Sequence, residues 1–187
     1  MDYLEIIGTL VGLLYLWFEY KASIWLWAAG IVMPALSLMV YYRSGLYADF
    51  GINIYYLLAG IYGWVMWLKG ASGKKELPVI HTPIRQILPL TAISAGLLLF
   101  IAWILIRFTD STVPWLDSLT TALSIVAMWM LAYKHAEQWL VWIVVDAVSC
   151  GLYIYKGLPF YAALYGFYTI IAFFGYFKWL KMISGER

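Results

Sequence analysis

The chain has 187 residues, 65% of them hydrophobic and only 12% charged, with 12 Lys and Arg against 10 Asp and Glu. Soluble domains run near half apolar and a quarter charged, and a chain this short buries only about two-thirds of its surface. These numbers exclude a soluble monomer; aromatic residues at 19%, with 11 Trp and 16 Tyr, fit a protein whose solvent is lipid.

Seven apolar runs approach the roughly 20 residues a spanning helix needs: 3–19, 23–42, 47–68, 84–107, 113–132, 136–155 and 158–180. The first starts almost at Met1 with no basic segment ahead of it and no small-residue cleavage site, so it is expected to stay as a helix. Between the third and fourth runs, Lys69 to Thr82 reads as a linker, with Gly70, Gly73, Lys74, Lys75 and Pro78. The other breaks are short and polar. Cys150 lies within the sixth run and reads as a small buried hydrophobe. Seven spans place Arg43, Arg107 and Lys156 on one side and the other nine basic residues on the opposite side. The positive-inside rule then puts the N-terminus outside and the C-terminus in the cytoplasm.

Shifting the chain by 112 residues lays the first three runs on the last three. Trp17/Trp129, Trp27/Trp139 and Trp67/Trp179 pair in one register, as do Gly45/Gly157, Gly63/Gly175, Ser37/Ser149 and Tyr56/Tyr168. Shared membrane composition explains matched leucines, not matched tryptophans and glycines. Residues 1–69 therefore form one three-helix repeat and 109–187 a second, with 70–108 supplying a cytoplasmic linker and a linker helix. Three spans is an odd number, so the unmatched fourth turns the chain once more and makes the two bundles parallel. The expected fold is all-α: seven transmembrane helices in a 3+1+3 order, a transporter plan with substrate bound near the midplane between the halves.

A charge at bilayer depth costs about 2.5–3.5 kcal/mol on insertion scales. Glu5, Glu19, Asp117 and Glu137 lie near run ends, within reach of headgroups, whereas Asp146 lies mid-run. On a helix Trp139, Trp142, Asp146, Ser149 and Tyr153 share one stripe, an aromatic slot with a carboxylate floor that suits a flat organic cation. The alternative is a protonated Asp146 bonded to a neighbouring helix, with the tryptophans as ordinary core. Asp49, Asn53, Tyr56, Gly60, Gly63 and Trp67 make a comparable stripe on the third run, and Asn53 should face the same centre because lipid satisfies none of its polar atoms. Tyr56 and Trp67 read equally as ligand contacts or interface anchors, and Trp67 also as a gate. Pro34 aligns with Asp146 in the repeat and reads as a hinge or as a proline tolerated by packing. His81 and His135 have no metal-ligand spacing, and no nucleophile–base set or nucleotide fingerprint is present, so neither an enzyme, a cofactor nor a metal is expected.

Together Gly45 to Asp49, Tyr62 to Trp67, Glu137 to Trp142, Gly157-Leu158 and Gly175 to Trp179 resemble the PnuC family of bacterial vitamin transporters over nearly the whole chain. The resemblance implies two parallel three-helix bundles joined by a linker helix, as in SWEET sugar transporters, in a homotrimer of the inner (cytoplasmic) membrane. It also implies facilitated diffusion of a dephosphorylated vitamin, with a separate cytosolic kinase trapping it, and no nucleic-acid partner. The family's W-x-x-W-x-x-x-N motif, which contributes to nicotinamide riboside binding, reads Trp139-x-x-Trp142-x-x-x-Asp146 here. An ionised Asp only accepts hydrogen bonds, so it loses the partner of a carboxamide oxygen and favours an amino donor or cationic ring. That favours thiamine, the substrate of the PnuT relatives, over nicotinamide riboside. The expected substrate-binding residues are Trp139, Trp142, Asp146, Asn53, Tyr56, Ser149 and Tyr168, with Pro34 and Trp67 as hinge or gate. A vitamin-binding subunit of an energised ABC-type importer is the alternative from another class; such subunits usually have six spans and no direct repeat.

Overall fold

A computed structural model of the protein describes residues 3–43, 47–70 and 77–185; for 3–9, 33, 36–37, 39–43 and 47–52 it describes the backbone alone. Gly45, Gly73, Lys74 and Lys75 lie outside the described residues. Among these residues the fold is all-helical, with seven helices: α1 (Tyr3–Tyr20), α2 (Trp25–Arg43), α3 (Tyr47–Lys69), α4 (Ile84–Phe108), α5 (Pro114–Ala132), α6 (Gln138–Tyr155) and α7 (Pro159–Ser184). Four of them, α4 to α7, are long and apolar enough to cross a membrane. The expected runs fall on the helices within a few residues; α7 runs four residues further and stops at Gly185, whose φ of 74° is the left-handed conformation that closes many helices.

The described residues divide into two compact units, Met1–Val79 with Ala132–Lys134, and Ile80–Leu131 with His135–Arg187. In the first, α1 packs on α2 and α2 on α3; in the second, α6 packs on α7. Several local features recur 112 residues apart along the chain. Ala22 and Lys134, one repeat apart, both adopt left-handed φ, 51° and 53°, a conformation few non-glycine residues take. Three turn hydrogen bonds recur in the same register. Ser23 N to Phe18 O (2.8 Å), Leu26 N to Ser23 O (3.1 Å) and Trp27 N to Ile24 O (3.1 Å) match His135 N to Met130 O (3.0 Å), Gln138 N to His135 O (3.2 Å) and Trp139 N to Ala136 O (3.3 Å).

Packing repeats as well. In the first unit Trp27 is fully buried and its indole meets that of Trp67 edge-on, centroids 5.6 Å apart at 89°. In the second, Trp139 is fully buried and meets Trp179 at 5.8 Å and 90°. Each first tryptophan lies flush on a glycine of the next helix. A Cβ on Gly63 would overlap the Trp27 ring, and one on Gly175 would come within 2.7–2.8 Å of the Trp139 ring. Only glycine permits so close an approach. The tryptophans themselves hold α2 to α3 and α6 to α7.

Two carboxylates at helix ends, Asp117 and Glu137, are paired. Asp117 accepts from Ser111 Oγ at 3.0 Å and lies 3.8 Å from Lys156 Nζ. Lys134, 4% exposed, covers the Trp67 face at 4.0 Å, and Tyr133 and Tyr62 share a hydroxyl hydrogen bond of 2.7 Å. Glu137 clasps the segment that leads into α4. It accepts from Thr82 N (2.6 Å) and Thr82 Oγ1 (2.8 Å) and lies 2.6 Å from His81 Nδ1, while Ala136 N donates to Ile80 O at 2.9 Å. Burial pushes the Glu137 carboxyl up, but the bonds from His81 and Thr82 outweigh it and hold it below the ordinary glutamate range. A depressed carboxyl contributes stability that is present above its unfolded value and lost as pH falls through the folded one. Glu137→Ala is expected to cost about 2 kcal/mol at pH 7 through its lost hydrogen bonds. In detergent, the difference in thermal melts between variant and wild type should narrow as pH falls through the carboxyl's lowered folded value.

Candidate functional site

Asp146 lies midway along α6 and is 6% exposed. Among the described residues no Lys, Arg or His forms an ion pair with it. A carboxyl at this depth needs polar company, and α7, which packs on α6, carries Tyr165 and Tyr168 close enough to couple electrostatically with it. Ser149, one turn along α6, is also buried, at 8% exposed. Tyr165 and Tyr168 lie 5.6 Å apart, ring to ring, and Tyr165 bonds Tyr153. The second unit thus brings together Asp146, Ser149, Tyr168 and Tyr165. Tyr165 was not among the expected residues, although its place three residues before Tyr168 puts both on one face of α7.

The two motif tryptophans separate in role. Trp139 is the pillar seated on Gly175, the counterpart of Trp27 on Gly63, so its burial follows from bundle packing. Trp142 is half-buried, and its counterpart one repeat earlier is Gly30. In the first unit the space beside Gly30 is taken by Tyr15, whose ring lies 3.0 Å from where a Cβ would be. The position matching Tyr15 in the second unit is Ala127. One repeat carries its large ring on α1, the other on α6. Trp142 Nε1 is buried with no hydrogen-bond partner among the described residues.

In the first unit Asn53 and Tyr56 are half-buried on α3, and Tyr56 packs on Tyr55 with ring centroids 5.6 Å apart. Trp67, 2% exposed, is held between Trp27 and Lys134. Pro34 is buried within α2, and the helix continues through it. Among the described residues no group of three His, Cys, Asp or Glu is arranged to hold a metal ion.

The family model described as Nicotinamide mononucleotide transporter matches residues 2–181. The chain is 26% identical over 206 residues to the nicotinamide riboside transporter PnuC of Escherichia coli (strain K12), covering 97% of this chain and 86% of that protein. It is 27% identical to the PnuC of Neisseria mucosa, covering 98% and 74%. To the riboflavin/roseoflavin transporter RibM of Streptomyces davaonensis it is 26% identical, covering 94% and 83%. Among solved structures, the crystal structure of the vitamin B3 transporter PnuC matches with a TM-score of 0.73 and 27% identity, covering 97% of this chain and 82% of that one.

Proposed function

The chain belongs to the nicotinamide mononucleotide transporter family, as a multi-pass protein of the inner membrane, and on that premise we propose that it imports a flat, cationic, dephosphorylated vitamin by facilitated diffusion. The carrying observation is Asp146, a buried carboxyl with Tyr165 and Tyr168 across from it and no basic residue paired to it among the described residues. Such a site lacks a positive charge and offers π faces, which an aromatic cation supplies and uses.

In the proposed 3+1+3 plan, Asn53 and Tyr56 of the first repeat and Trp142, Asp146, Ser149 and Tyr168 of the second bind the substrate. The recurrence of turns and Trp–Gly contacts in both units supports that plan. The basic residues support an N-terminus outside and a C-terminus in the cytoplasm. A homotrimer, and a cytosolic kinase that traps the vitamin, complete the proposal. Trp139, expected as a ligand contact, and Trp67, expected as a gate, act in this reading as packing supports within their bundles, and Pro34 as the hinge.

Both vitamins carry a cationic ring, but thiamine fits the carboxylate better than nicotinamide riboside, because its aminopyrimidine donates, whereas a carboxamide oxygen needs a donor that an ionised Asp lacks. Nicotinamide riboside is the second reading, favoured by the names of the PnuC relatives. Liposomes holding this chain alone, with no nucleotide and no ion gradient, test the proposal. Labelled thiamine is expected to enter well above the empty-liposome rate and to stop at equal concentrations inside and out. Uptake of neither vitamin would favour a binding subunit that needs an energised partner.

A further inference from the structure

The tyrosines of α6 and α7 continue beyond the central carboxyl. Tyr165 lies 5.1 Å from Tyr153, and Tyr153 lies 5.4 Å from Tyr161, the last pair stacked with their planes 29° apart. With Tyr168 this makes an unbroken row of four tyrosines running inward from the α6–α7 turn, about 10 Å along α7 at 1.5 Å per residue; its inner members, Tyr165 and Tyr168, are the two that couple electrostatically with Asp146. Exposure rises outward: Tyr165 and Tyr168 are half-buried, whereas Tyr161 is 37% exposed, stacked on Tyr153 and met edge-on by Phe160 at 5.8 Å.

Bundle packing does not account for the row. What packing requires is present in both repeats, as the Trp–Gly pillars and turn hydrogen bonds are. Tyr153 and Tyr168 have counterparts in Tyr41 and Tyr56, but the positions matching Tyr161 and Tyr165 are Asp49 and Asn53, so the first repeat lacks the two rings that make the row continuous. The row occurs in the repeat that also carries Asp146, and it leads to that residue.

We propose that Tyr161, backed by Tyr153, forms an outer subsite for the flat ring of an aromatic cation, from which the ligand passes along Tyr165 to Asp146. This rests on the transport reading above. Each step exchanges one π face for the next, so the cation is stabilised along the way without being held so firmly that it stops.

An on-path subsite lowers the barrier to binding rather than the energy of the bound state, and that sets the test. Thiamine binding to the full chain in lipid nanodiscs is followed by stopped-flow tryptophan fluorescence for wild type, Tyr161→Phe and Tyr161→Leu. Tyr161→Leu is expected to slow association and dissociation alike by about fivefold, the size of one partly exposed cation–π contact, leaving Kd within about twofold. Tyr161→Phe keeps the ring and is expected to match wild type. Association unchanged in Tyr161→Leu, or slowed equally in Tyr161→Phe, overturns the subsite, as does a raised Kd at unchanged association. If Tyr161→Leu does not fold, Tyr161→Met, of similar volume and without a ring, carries the same expectation. A wild type that binds neither thiamine nor nicotinamide riboside overturns the transport reading and the subsite together; normal binding with unaltered kinetics overturns the subsite alone.

Discussion

The Gly175→Val variant is expected to lose about 2–3 kcal/mol of stability, the upper part of the range of about 1–3 kcal/mol for forcing bulk into a filled core. Its Cβ would stand 2.7–2.8 Å from three atoms of the Trp139 indole, and that ring is fully buried and cannot swing aside. Moving it also breaks the edge-on contact with Trp179. The melting temperature in detergent should fall by roughly 5–10 °C. Gly63→Val should do the same in the first unit, where the clash with Trp27 is more severe. Gly151→Ala is the control: nothing lies within 4 Å of its added carbon, and a helix-interior glycine gains about 1 kcal/mol on becoming alanine. If Gly175→Val melts with wild type, the pillars are not what joins α6 to α7.

These pillars show how far the sequence could be read. The helices were legible because a lipid-spanning segment must be apolar over about 20 residues, and few other structures demand that. The repeat was legible because Trp and Gly seldom coincide by chance, and its consequence for Trp139 follows from it. Trp27 has the same environment in a repeat that has Pro34 in place of the carboxyl. A pattern search groups Trp139 with Trp142 on one stripe; only packing tells the support from the half-buried ring. The clasp of Glu137 on His81 and Thr82 was not legible, since 56 and 55 positions separate the partners. Nor was the tyrosine row, because 19% aromatic content leaves any single tyrosine indistinguishable from an interface anchor.

Differences between the repeats, read against what they share, return to Asp146. Substituting asparagine there keeps the shape and removes the charge. Truncating one partner of a buried, hydrogen-bonded charge pair costs 2–5 kcal/mol or more in bound complexes, and 1.4 kcal/mol is a factor of ten. Asp146→Asn is therefore expected to weaken thiamine binding by about 100-fold. Nicotinamide riboside also carries a cationic ring, but the new amide supplies the donor that its carboxamide oxygen needs, so its affinity should fall much less than that of thiamine. Stability should hold or rise, because a carboxyl at membrane depth is exchanged for a neutral group. The most direct measurement is the pair of equilibrium dissociation constants for thiamine, wild type against Asp146→Asn, by calorimetry on purified protein. A loss of about 100-fold is the predicted result, and equal affinities would contradict the assignment of Asp146 as the group that selects a cation.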